Sequence, residues 1–181
     1  MMAGVWGPTD AMPGLVAALH TDQQRTLGRG IAQVQRGRGL VARMLALVIG
    51  FPPTGLVMPL DIEIVRSGSE ERWTRRFAGQ GFTSRLTRRE GRVVEHFGLL
   101  AFAFDLVPIP RGHRMVLRHW WCGPLPLPLG LAPRIAATET DQGGRFGFDI
   151  RIALPLFGPL IAYRGSLVLV AEPVTRRRLA A

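Results

Sequence analysis

The stretch that decides the fold is Phe146-Gly147-Phe148-Asp149-Ile150-Arg151-Ile152-Ala153-Leu154. Phe146, Phe148, Ile150, Ile152 and Leu154 take every second position, with small or charged residues between them. A period of two puts one set of side chains on one face of an extended strand. A helix would need apolar residues three and four apart. Asp141-Gln142-Gly143-Gly144 precedes the stretch and Phe157-Gly158-Pro159 follows it, so turn-forming residues bound it on both sides.

The same rhythm continues outward. Downstream, Ile161, Tyr163, Gly165, Leu167 and Leu169 form a last strand, and Ile135 to Thr140 is another upstream. Further back, Met115, Leu117, His119 and Trp121 alternate with Arg114, Val116, Arg118 and Trp120. Leu100, Phe102, Phe104 and Leu106 alternate in turn, as do Val93, Glu95 and Phe97, then Phe82, Ser84 and Leu86. Trp73, Arg75 and Phe77 share a face, and so do Leu60, Ile62 and Ile64. Ser67-Gly68-Ser69, Gly79-Gln80-Gly81, Glu90-Gly91 and Pro108 to Gly112 punctuate these runs. Gly123-Pro124-Leu125-Pro126-Leu127-Pro128 cannot supply a full ladder of donors, which makes it a loop or an edge.

Thr26 to Arg36 also reads as a strand, because Gly28 and Gly30 disfavour a helix there. Leu40, Val41, Met44, Leu45 and Val48 then fall at helical spacing, and Gly50 with Pro52-Pro53 ends the helix. The expected fold is therefore mostly β (α+β). It is a strongly curved antiparallel sheet or β-barrel of meander topology, with a short N-terminal helix, about Gly39 to Ile49, capping one end.

A chain of 181 residues, 47% hydrophobic, supports one domain with a core. The expected division is a lead-in over 1–20, a single domain over 21–173 and a basic tail over 174–181 that contains Arg176-Arg177-Arg178. The net charge of +10 comes entirely from arginine, for the chain has neither lysine nor asparagine. GC-rich coding accounts for that bias better than selection for nucleic-acid binding, where Lys and Arg usually mix and cluster. One cysteine, Cys122, excludes an intrachain disulfide and a multi-cysteine zinc site. Residues 1–19 lack the features of a secretory signal, and Pro52-Pro53 interrupts the longest apolar stretch, Leu40 to Leu60. The expectation is a cytoplasmic protein with no transmembrane segment.

No catalytic motif emerges. Gly28-x-Gly30 and Gly37-x-Gly39 lack the third glycine of a dinucleotide fingerprint. His113 and His119, six residues apart on one strand, would lie about 20 Å from each other, too far for one ion. Cys122 and His119 point to opposite faces of an extended strand, and Cys122 reads as a small buried hydrophobe. No catalytic residue, metal ligand or cofactor is therefore expected.

The pattern does point to a cavity. If Trp73 and Phe77 face inward, so does Arg75, and Glu95 shares its face with Val93 and Phe97. A buried arginine must be paired or hydrogen-bonded. Arg75 is either one half of an internal pair with Glu95 or an anchor for an anionic head group. Trp73, Phe77, Phe102, Phe104, Trp121, Phe148 and Tyr163 would complete an apolar lining.

Several segments carry a family resemblance: Arg36-Gly37-Arg38-Gly39, Gly50-Phe51-Pro52-Pro53, Glu71-Arg72-Trp73-Thr74-Arg75-Arg76-Phe77, Glu95-His96-Phe97-Gly98, Phe104-Asp105-Leu106, Leu125-Pro126-Leu127-Pro128, Ala132-Pro133-Arg134, Phe148-Asp149 and Tyr163-Arg164-Gly165. Over roughly residues 20–170 the chain resembles an uncharacterised bacterial group, domain-of-unknown-function family 4166. The resemblance implies no established activity. It implies relatives found alone or fused behind nucleotide-binding oxidoreductase domains, hence a possible oxidoreductase partner. The functional expectation is a non-catalytic binding module for a hydrophobic or amphipathic, lipid-like anion. The alternatives are an interaction or accessory domain, or an enzyme working in the same cavity.

Overall fold

Apolar side chains at every second position leave each strand with one face that must leave water. Ten strands satisfy that need by closing on one another as an antiparallel barrel. A computed structural model describes residues 23–170. The expected lead-in over 1–20, the tail over 174–181 and His20 lie outside the described residues.

In chain order the elements are β1 (Arg25–Arg36), α1 (Leu40–Ile49), β2 (Gly55–Ser67), β3 (Glu70–Phe77), β4 (Gln80–Arg89), β5 (Arg92–Phe97), β6 (Leu100–Ile109), β7 (Gly112–Cys122), β8 (Leu125–Pro126), β9 (Arg134–Asp141), β10 (Phe146–Leu154) and β11 (Gly158–Val170). Each strand pairs with its neighbour in sequence, except that β7 bypasses the two-residue β8 and pairs with β9. The ring closes where β1 meets β11, from Leu27 opposite Val170 to Arg36 opposite Ile161. The expected mostly-β meander is the observed architecture.

Tight turns drive the meander. β4 and β5 are joined by Glu90-Gly91 alone, with Arg89 opposite Arg92. Both turn residues adopt positive φ, 52° and 80°. That pattern matches the right-handed twist of the flanking strands. Glycine adopts it freely, whereas Glu90 does so against its Cβ.

One end of the barrel carries α1, the sole α-helix among the described residues. Gly37 lets the chain leave β1 toward it. Its N–H donates to the Leu160 carbonyl at 2.8 Å. A Cβ on Gly37 would stand 1.8 Å from the Pro159 oxygen, so only glycine fits. The helix stops at Gly50, whose φ of 79° forms a left-handed cap. Ala42 and Ala46 are buried, and Leu45 and Ile49 pack on the core. The other end is closed from within by polar groups. Glu71 is 3% exposed; it accepts from Arg66 Nε at 3.1 Å and from the Trp73 indole N–H at 2.8 Å. Arg66 also donates to the Thr26 hydroxyl at 2.8 Å.

One register shift changes which residues face inward. Between β6 and β7, Ala103 pairs with His119 but Phe104 pairs with Leu117, so Arg118 is an extra residue. A bulge of one residue inverts the faces of everything beyond it.

Candidate functional site

Ten strands enclose more space than the eight that side chains alone fill. Here aromatic rings take up most of it. Phe77, Phe82 and Tyr163 pack with ring centroids 5.6 to 6.3 Å apart. What is left is a cavity of about 140 Å³ under α1, walled mainly by apolar side chains. Trp73, Arg75, Phe77, Glu95, Phe102, Phe104, Phe148 and Tyr163 all line it.

Trp121 does not. The bulge at Arg118 turns Trp121 to the outside of the barrel, where it packs on Val94, Ala101 and Ala103. Trp120 turns inward in its place. Its ring stacks on Phe102 at 6.1 Å, and its indole N–H donates to the Pro128 carbonyl at 3.0 Å. Cys122, expected to be buried, is an exposed free thiol, because it ends β7 beside the Gly123-Pro124 turn.

The polar part of the lining is a small network. Arg75 Nη1 donates to Ser84 Oγ at 2.8 Å, and Nη2 lies 3.3 Å from Glu95 Oε1. The Ser84 hydroxyl donates to the same carboxylate oxygen at 2.6 Å. The guanidinium also lies over Trp73 at 4.9 Å and Phe82 at 5.5 Å. Trp73 is held for this role, since Glu71 binds its indole N–H. The positive charge of Arg75 is thus already balanced and boxed in by rings.

Tyr163 stands nearby, with Phe148 and Phe77 against its ring. Burial pushes its phenol up to about 12; Arg75 opposes that rise, and Glu95 and Glu139 add to it. Glu139 belongs to the lining too. Its carboxylate lies 3.3 Å from Nε2 of His113, and the two side chains are 12% and 5% exposed. Sequence reading missed Glu139, and weighed His113 only as a metal ligand, with His119. Glu139 shares its parity with Ile135 and Ala137, which also face the cavity, so the signal was present. Their meeting depends on β7 pairing with β9.

The other two described histidines lie elsewhere. His96 shares a hydrogen bond with Thr87 at 3.2 Å, and His119 packs beside Trp121. Burial, helped by Arg85, holds the His96 imidazole below its ordinary value.

A family model described as a domain of unknown function (DUF4166) matches residues 13–167. The chain belongs to the DUF4166 family. None of the curated proteins matches it. The geometry above is thus that of a DUF4166 barrel, with Arg75, Ser84, Glu95, Tyr163 and Glu139 as the polar groups in and around its cavity. No helix among the described residues is long and apolar enough to cross a membrane.

Proposed function

We propose that the DUF4166 barrel binds a small, largely apolar molecule with an oxygen-bearing head group, and that it does so without catalysis. The observation that carries this reading is the asymmetry of the cavity. Its wall is aromatic and aliphatic apart from Arg75 and Glu95, which Ser84 joins in a compact polar patch, the separate carboxylate of Glu139 and the Tyr163 phenol. Sites for small ligands have this character: an apolar surface with a few convergent polar groups that fix orientation.

The head group follows from the charges. Glu95 already neutralises Arg75, so an anion gains little from the full cationic charge. A carbonyl, hydroxyl or carboxylic acid can instead accept from the donors Arg75 has left. The size follows from the volume. About 140 Å³ accommodates a group of roughly benzene size. A longer lipid-like chain therefore needs α1 to shift outward. We further propose a cytoplasmic location, which an exposed free thiol at Cys122 suits.

Native mass spectrometry of the freshly purified chain, followed by extraction and identification of bound material, tests the reading. A stoichiometric small-molecule mass that extracts into organic solvent is the expected result. A clean unliganded mass, together with unchanged tryptophan fluorescence on titration with short and long fatty acids, would overturn it.

A further inference from the structure

Antiparallel connections alternate between the two ends of the barrel, so each end can be read separately. At the end without α1 the turns are Gly68-Ser69, Glu90-Gly91, Pro110-Arg111 and Gln142-Gly143-Gly144-Arg145. They expose no large hydrophobic side chain. At the α1 end the connections are residues 37–54, 78–79, 98–99, 123–133 and 155–157. Leu40, Met44, Leu47 and Val48 on α1 are 66% to 83% exposed, and Leu156 in the last connection is 99% exposed. Leu99, Leu125, Leu129, Leu131 and Phe157, from three separate loops, are exposed beside them.

The α1 end is also locally basic. The connections at the α1 end contain no aspartate or glutamate. Arg38 precedes the helix, Arg43 lies within it, and Arg134 opens β9 at the same end. None of the three makes an ion pair with a described residue. Arg38 and Arg134 line one groove together with Phe157. Apart from Arg43, α1 carries only apolar side chains, and an uncovered apolar helix face belongs in a core or in lipid; only the inner side of α1 is covered.

We propose that the α1 end of the barrel seats on an anionic lipid bilayer. Apolar side chains from α1 and the loops enter the headgroup boundary, and Arg38, Arg43 and Arg134 meet lipid phosphates. Broad apolar loops ringed by cations suit a planar anionic surface. A second copy suits it poorly, because a symmetric pairing through this end would bring like-charged arginines together. The proposal stands apart from the cavity reading, since docking needs no bound small molecule.

The test is co-sedimentation of the full chain with phosphatidylcholine vesicles, with and without about one-third phosphatidylglycerol. Binding to the anionic vesicles alone, weakened by salt, is expected. The double variant Leu47→Glu/Leu156→Glu should bind at least about tenfold more weakly. Ile31→Glu, the same change at a 54%-exposed site on the barrel wall, should stay within about twofold of wild type. Arg38→Gln/Arg43→Gln should weaken binding while leaving circular dichroism unchanged. Three results would overturn the proposal: no vesicle binding, equal loss in Ile31→Glu, or undiminished binding by Leu47→Glu/Leu156→Glu. Concentration-dependent dimerisation abolished by Leu47→Glu/Leu156→Glu, without vesicle binding, would assign the face to a second copy instead.

Discussion

Arg75 and Glu95 lie on strands separated by β4 and meet across it inside the barrel, 3.3 Å apart, with the Ser84 hydroxyl bonded to both. The pair therefore links β3, β4 and β5 at one level. Removing Arg75 leaves a carboxylate in an apolar wall. We expect Arg75→Ala to cost about 2–4 kcal/mol in denaturant unfolding, while Arg88→Ala, exposed near the end of β4, changes stability by about 0.5 kcal/mol or less. Arg75→Met combined with Glu95→Leu should recover most of the loss. A double variant as unstable as Arg75→Ala would mean that the pair does more than balance charge.

The same two variants separate the roles of Arg75 in binding. For whatever ligand native mass spectrometry identifies, Arg75→Ala should lower affinity and Arg88→Ala should not. Equal affinities, measured by isothermal titration calorimetry, would remove Arg75 from the site.

Tyr163 makes the interior visible to ultraviolet absorbance, because it is the one tyrosine in the chain. Its folded value is about 12, against about 10 for a free phenol. Between those values the unfolded chain releases a proton that the folded chain keeps. Stability is thus fully present below pH 10 and lost as pH rises through that window. The loss is on the order of 2–3 kcal/mol. Absorbance at the tyrosinate band should rise only above about pH 11 in the folded protein, and near pH 10 in denaturant. A midpoint near 10 in the folded state would place the phenol in water.

Ala137 lines the cavity and is 4% exposed, so a larger side chain there fills the space directly. Ala137→Leu should abolish small-molecule binding at a stability cost of about 1–3 kcal/mol or less. Trp121→Ala, outside the barrel, should leave affinity unchanged. If Ala137→Leu binds normally, the ligand sits elsewhere.

Glu90 holds a left-handed conformation in the turn between β4 and β5. Glu90→Gly should raise stability by about 1 kcal/mol, and Gly91→Ala should lower it by a similar amount, read from thermal unfolding midpoints. A destabilised Glu90→Gly would show that the glutamate has contacts that outweigh its backbone cost.

Much of this was legible from alternation. Trp73, Arg75 and Phe77 face inward together because strand periodicity leaves no other arrangement, and Glu95 follows for the same reason. The helix ends at Gly50, as the glycine before Pro52-Pro53 indicates. Trp121 was misplaced because a bulge leaves no mark on a hydrophobic pattern: Trp120 and Trp121 are interchangeable until the register with Phe102 is known. Cys122 was misplaced for a related reason, since its neighbours are apolar but its strand ends there. The pairing of His113 with Glu139 required knowing that β7 skips β8, which is a matter of topology. The volume of the cavity depends on how the nine aromatic rings that line it interlock, and composition does not encode that.

The junction of β1 with β11 has a kinetic consequence. Nearly every other ladder joins strands that follow one another closely, so each hairpin can form on its own time. Gln33 and Arg164, bonded at 3.0 Å, are separated by 131 positions. Their segments can meet only after the intervening chain has been drawn into a nearly finished ring, at the largest loop-closure entropy in the domain. Folding speed should therefore be governed by this last zipping step. Until it occurs, β1 and β11 are two long open edges available to other chains, which makes the slow moments of folding the ones most exposed to aggregation.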